Sequence, residues 1–182
     1  ARAKRRDCYK PWTVLVYMAA DNDLKPYAFW DLYEMEAGFK SGRNAAGSTA
    51  RSDLLVQLIT PGQPDARRIH VFQSPTPYRD SLQLEELGRR AEADIESPVA
   101  KQVPRGNAAA DFQSFIEWGI HEYPAEHYMV VVWGHGKGFN GLAFSDSDKS
   151  HLSIPDLTQA LRQAELNYLN GAIFLKWIIT RN

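Results

Sequence analysis

The stretch Gly134-His135-Gly136-Lys137-Gly138-Phe139-Asn140-Gly141 sets an imidazole between glycines, so no adjacent side chain screens it from a bound molecule. Such a ring can take or give a proton, and a neighbouring glycine N–H can approach an oxygen that is gaining charge. The plainer alternative is a tight glycine turn with a surface histidine. The same glycines do not make a phosphate loop. They fit neither G-x-x-x-x-G-K-[ST] nor a G-x-G-x-x-G that opens a helix, because the apolar Leu142-Ala143-Phe144 follows.

Three other groups carry chemistry. Asp21 and Asp23 flank Asn22 and can orient a histidine, bind a cation or face a basic substrate; taken singly, each also suits a turn or helix cap. Asp146 and Asp148, interleaved with Ser145 and Ser147, offer oxygens of the kind calcium takes. They lack the spacing of a calcium loop, so a solvated acidic loop is the first reading. His70, His121, His127 and His151 stand in no C-x-x-C or H-E-x-x-H context, which argues against metal ligation.

The elements that must position these groups show in the apolar runs. Thr13–Ala20, Asp53–Thr60 and His127–Trp133 read as strands buried on both faces, and Ala172–Ile179 as a last apolar strand. Arg67–Gln73 reads as a short strand, and signals from there to Asn107 are weak and loop-like. Helices are expected from Pro26 to about Gly38, with Gly38 as a C-cap, from Asp111 to Glu122, and from Pro155 to Ala164. Strands alternating with helices imply an α/β fold: a mostly parallel sheet with helices on both faces. Ligands bind such sheets beyond the carboxyl ends of the strands, which selects the residues after Ala20, Trp133 and Ile179.

Composition narrows the classes. The 182 residues hold 21 Lys+Arg against 22 Asp+Glu, a formal net charge of -1, so little would drive counterion release on a nucleic acid and no nucleic-acid partner is expected. One cysteine, Cys8, excludes an intrachain disulfide framework and a cysteine-rich zinc module. No apolar run reaches the roughly 20 residues of a membrane span. Residues 1–12 carry Arg2, Lys4, Arg5, Arg6 and Lys10 against Asp7 and read as a disordered basic leader, leaving 13–182 as one domain.

Three segments together resemble the clostripain family of cysteine peptidases. They are Pro11-Trp-Thr-Val-Leu-Val-Tyr-Met-Ala-Ala-Asp-Asn-Asp-Leu24, Trp118 to Tyr128 through Tyr123-Pro124-Ala125, and Val131-Val-Trp-Gly-His-Gly-Lys-Gly138. The likeness also runs through Asp31–Met35 and Leu152–Leu161. It implies a caspase-like three-layer sandwich and a Cys/His dyad that cleaves after Arg or Lys. By that resemblance His135 is the general acid/base, Gly136 N–H an oxyanion donor, and Lys149 the site of a maturing self-cleavage. Asp21 and Asp23 become candidates for holding basic substrate side chains. Some members need calcium, which would make Asp146 and Asp148 its ligands. The family is largely bacterial and often exported, so an extracellular or cell-envelope location is expected.

One departure matters. The family's nucleophile follows the next strand in a Phe-Asp-Ala-Cys-type motif, whereas here that strand is followed by Thr180-Arg181-Asn182. Cys8 precedes the first strand and is a poor candidate, and Thr180 has no visible activating amine. The expectation is therefore an N-terminal peptidase portion, incomplete at its C-terminal side and inactive alone, whose partner is a segment or chain supplying the cysteine. The alternative is a non-catalytic homologue that binds basic peptides.

Overall fold

The computed structural model describes residues 9–37, 47–74, 92, 95–165 and, as backbone, 173–175. Six strands form one sheet: β1 (Lys10–Ala19), β2 (Ser52–Ile59), β3 (Asp65–His70), β4 (Val99–Pro104), β5 (Ala125–Trp133) and β6 (Ile173–Leu175), in the order β4-β3-β2-β1-β5-β6. The pairs β1–β2, β1–β5 and β5–β6 are parallel; β2–β3 and β3–β4 are antiparallel. Among the described residues three α-helices pack on the sheet: α1 (Lys25–Ala37), α2 (Ala108–Glu122) and α3 (Ile154–Ala164).

Strand alternation separates two cores. Leu15, Tyr17 and Ala19 of β1 join Tyr128, Val130 and Val132 of β5 beneath α2 and α3. Val16, Met18 and Ala20 point the other way, with Val131 and Trp133, and meet Ala28, Phe29, Leu32 and Tyr33 of α1. With both faces covered, the central strands must be apolar throughout, which is why they read so clearly. α2 sits close: a Cβ on Gly119 would lie 2.2 Å from Leu15 Cδ2, and the Tyr17 and Phe112 rings meet edge to face at 5.3 Å. Asn107 caps α2 by accepting from Ala110 N–H, and Ser153 caps α3 by accepting from Asp156 N–H.

The expected strands and helices are present, with boundaries shifted by a few residues. Two expectations need correction. The stretch read as loop before Asn107 contains β4, which escaped notice because its Val-Ala-Lys-Gln-Val-Pro residues are almost all exposed at the sheet edge. The first strand, expected from Thr13, also starts earlier: β1 begins at Lys10, whose ammonium reaches Asp53 Oδ1 at 2.7 Å. Residues 1–8, Gly38 and most of the last predicted strand lie outside the described residues. Among those described, no helix is long and apolar enough to cross a membrane.

The topology has one consequence for function. β4 runs antiparallel to β3, which runs antiparallel to β2, so β4 ends at the same sheet edge as β1, β2 and β5. Arg105, immediately after β4, thereby arrives beside the turns that follow β1 and β5.

Candidate active site

β5 enters its turn through Gly134, whose φ of +144° is glycine territory and whose added Cβ would lie 2.9 Å from Ala19 O. The ends of β1 and β5 are thus in backbone contact. Trp133 Nε1–H donates to Asp31 Oδ2 at 2.7 Å and ties the same end to α1. His135 follows, half-buried, with Nε2 2.6 Å from Asp23 Oδ1. That hydrogen bond is the main reason the Asp23 carboxyl is held below the usual carboxylate range, against a smaller opposing effect of burial.

Beyond His135 the chain doubles back. Gly136 pairs with Leu142, and Leu142 with Leu152. In the first pairing it is Lys137 N–H that donates to Gly141 O, at 2.9 Å, so the N–H of Gly136 is not spent there. The Lys137 ammonium lies 4.5 Å from the Phe144 ring centre, and Phe144 stacks on His151. Phe139 stands fully exposed at the tip of the loop.

A second cluster lies beside the first. Asp21, 1% exposed, accepts from Ser145 Oγ at 2.6 Å, Ser147 Oγ at 2.7 Å and Arg105 Nη2 at 2.9 Å. Arg105 also donates to Ser145 Oγ and to Asp148 Oδ2, at 3.1 and 3.2 Å. Asp148 Oδ1 accepts from Ser150 N–H, and Asp146 N–H donates to Asp21 O. Burial alone would raise the Asp21 carboxyl, but the two hydroxyls and the guanidinium outweigh it and lower it. Burial would raise Asp148 too, but the Ser145 and Ser150 hydroxyls, the Ser150 N–H and the Arg105 charge together take it down to about 2. Between the two aspartates Asn22 bonds outward to Ala19 O and Phe144 O and accepts from Leu24 N–H.

These placements sort the sequence candidates. His135 and Asp23 are brought together, with Gly136 adjacent. Asp21 is buried and bonded to the chain's own Arg105, Ser145 and Ser147. Asp146 and Asp148, the candidate calcium ligands, have partners within the chain. Asp148 is bonded to Arg105 and Ser150, Asp146 lies 3.9 Å from the Lys149 ammonium, and no group of metal-binding side chains assembles among the described residues. Lys149 is exposed and left-handed, with φ +59°. Cys8 and Thr180 lie outside the described residues. Arg105 was missed altogether, since only recognition of β4 would have placed it at this edge.

The comparisons with known proteins bear on the fold and the family. A secreted C11 cysteine protease from Bacteroides thetaiotaomicron, solved in complex with an irreversible peptide inhibitor, matches with TM-score 0.65 and 23% identity over 94% of this chain and 43% of that one. A structure of the secreted C11 cysteine protease iotapain from the same organism matches with TM-score 0.61 and 12% identity, over 93% and 46% respectively. The chain therefore spans less than half the length of either structure, and the likeness shows a shared fold. No curated protein matches it. The model of the clostripain family, Peptidase C11, matches residues 16–170, from within β1 to beyond α3, and the chain belongs to that family.

Proposed function

We propose that this chain is the histidine-bearing portion of a cysteine endopeptidase that cleaves after Arg or Lys, and that a Phe-Asp-Ala-Cys-type segment elsewhere supplies the thiol. The observation that carries the reading is the position of His135 at the carboxyl end of β5, paired to the turn after β1. The thiol gives its proton to His135 as the thiolate attacks the peptide carbonyl carbon; the imidazolium then protonates the leaving amine. Gly136 N–H is available to the oxygen that becomes negative in between. A maturing cut after Lys149 belongs to the same reading, supported by the exposure of that side chain. Preference for basic residues rests on the family resemblance. Both aspartates proposed for it are engaged within the chain, Asp21 by Arg105 and Asp23 by His135.

The test is complementation. The chain is mixed with a folded segment carrying the Asp-Ala-Cys strand end, and release of a fluorogenic amine from Arg and Lys peptides is followed. Turnover that vanishes in His135→Ala is the expected result. If both pieces fold and associate yet no turnover appears, the peptidase reading fails. Salt-sensitive binding of basic peptides without cleavage would then favour a binding homologue.

A further inference from the structure

We propose that Asp23 is a positioning residue for His135: it holds the proton of Nε2 and so leaves Nδ1 as the nitrogen that exchanges protons with the thiol and the leaving amine. This rests on the reading of His135 as the acid/base.

The argument begins with donor chemistry. An ionised carboxylate only accepts, and a neutral imidazole has one N–H and one lone-pair nitrogen. A 2.6 Å contact between Asp23 Oδ1 and His135 Nε2 therefore places the proton of the neutral ring on Nε2. Nδ1 then carries the lone pair, and the bond at one nitrogen fixes the role of the other. In the reaction, the S–H bond breaks as its proton passes to Nδ1 and the S–C bond forms at the carbonyl carbon. When the C–N bond breaks, that proton leaves Nδ1 for the amine nitrogen. The Nε2 proton stays between His135 and Asp23 throughout, and Asp23 remains ionised.

A contact between exposed side chains would by itself be weak. Here both ends stand on anchored backbone. Asn22, next to Asp23, is held through Ala19 O, Phe144 O and Leu24 N–H, and its carbonyl accepts from Lys25 N–H. His135 leaves a strand end held by the Gly134–Ala19 approach and the Trp133–Asp31 bond. The other charged groups nearby have their own partners: Lys137 lies over Phe144, and the Asp21 carboxylate is spent on Ser145, Ser147 and Arg105. Asp23 itself, with its side chain 81% exposed, is dispensable to packing.

The experiment uses the whole chain labelled with 15N-histidine, with the His135 signals identified by their loss in His135→Gln. Long-range 1H–15N spectra of the neutral form are expected to show Nε2 protonated and Nδ1 bare, with an observable hydrogen-bonded Nε2–H. That proton signal should be lost to solvent exchange in Asp23→Leu and return in Asp23→Glu. The Asp23 carboxyl carbon should titrate below the ordinary aspartate range and move up to it in His135→Gln. A proton on Nδ1 in the unaltered chain, or an Nε2–H signal that survives Asp23→Leu, overturns the proposal. None of these readouts requires turnover, so failure of the complementation experiment is a separate result.

Discussion

Asp21 and Asp23 sit two residues apart in one turn, carry the same functional group, and end in opposite surroundings. Asp21 is sealed beneath a guanidinium and two hydroxyls, and holds the Ser145–Ser150 loop against the end of β1. Asp23 stands in solvent and bonds the His135 ring, the acid/base group of the proposed reaction. The difference arises from Asn22, whose side chain is tied back to β1 and forward to Phe144, so that the turn presents its neighbours to different spaces. One carboxylate is a fastener and the other an instrument. The two roles make opposite demands, because a fastener must be desolvated and fully satisfied, whereas a positioning group must be reachable.

The sharpest way to break this comparison is to remove Arg105. With Arg105→Ala, Asp21 keeps its two hydroxyls but loses its only cation among the described residues, and a buried charge left without its partner costs about 3 kcal/mol or more. Denaturant melts should show that loss through the midpoint. The loop should also open. Lys149 is exposed, but its left-handed backbone, Ser145 N–H on Ser150 O and the Asp148–Ser150 bond keep the loop from the extended form a protease binds. Added trypsin should therefore cut after Lys149 at least several-fold faster in Arg105→Gln than in the unaltered chain, because cutting follows the opened population. Equal rates would show that Arg105 does not hold the loop.

Next in size are the hydroxyls and the pH response. Ser145→Ala removes a donor that serves Asp21 and an acceptor for Arg105, and about 1–2 kcal/mol should go with it. Asp21 and Asp148 are both held below their ordinary values, so at these two groups the folded chain binds fewer protons than the unfolded one, whereas burial raises Asp111 and works the other way. The contribution of Asp21 and Asp148 is complete above the unfolded carboxyl value near 4 and is lost as pH falls towards about 2, the value of Asp148. Melting temperature followed from pH 6 down to 2 should fall across that window, and fall less in Arg105→Ala. A parallel decline in both would mean that other carboxylates govern acid unfolding.

How much of this was visible beforehand follows from burial. β1, β2 and β5 are apolar because helices cover both faces, and that pattern survives in any reading of the chain. His135 was visible through its glycines, one of which is required by the approach to Ala19 O. β4 was not visible, because an edge strand facing water needs no apolar alternation, and with it went Arg105. Without Arg105 nothing distinguished Asp21 from Asp23. Their separation depends on a contact across 84 residues of sequence, which local pattern cannot encode.

The smallest expected effect is the most direct check that the two aspartates belong to separate units. Asp23→Ala should change stability by no more than about 0.5 kcal/mol, as for other exposed positions whose role is not packing. Ser147→Ala should cost about 1 kcal/mol by taking a hydroxyl from Asp21 Oδ1. The altered side chains share no hydrogen-bond partner, so the double variant should equal the sum of the singles within about 0.5 kcal/mol. Coupling beyond that would mean that the His135 pair and the Asp21 cluster communicate through Asn22 and respond as one network. Additivity would mean that the acid/base pair can be retuned without loosening the loop that carries Lys149.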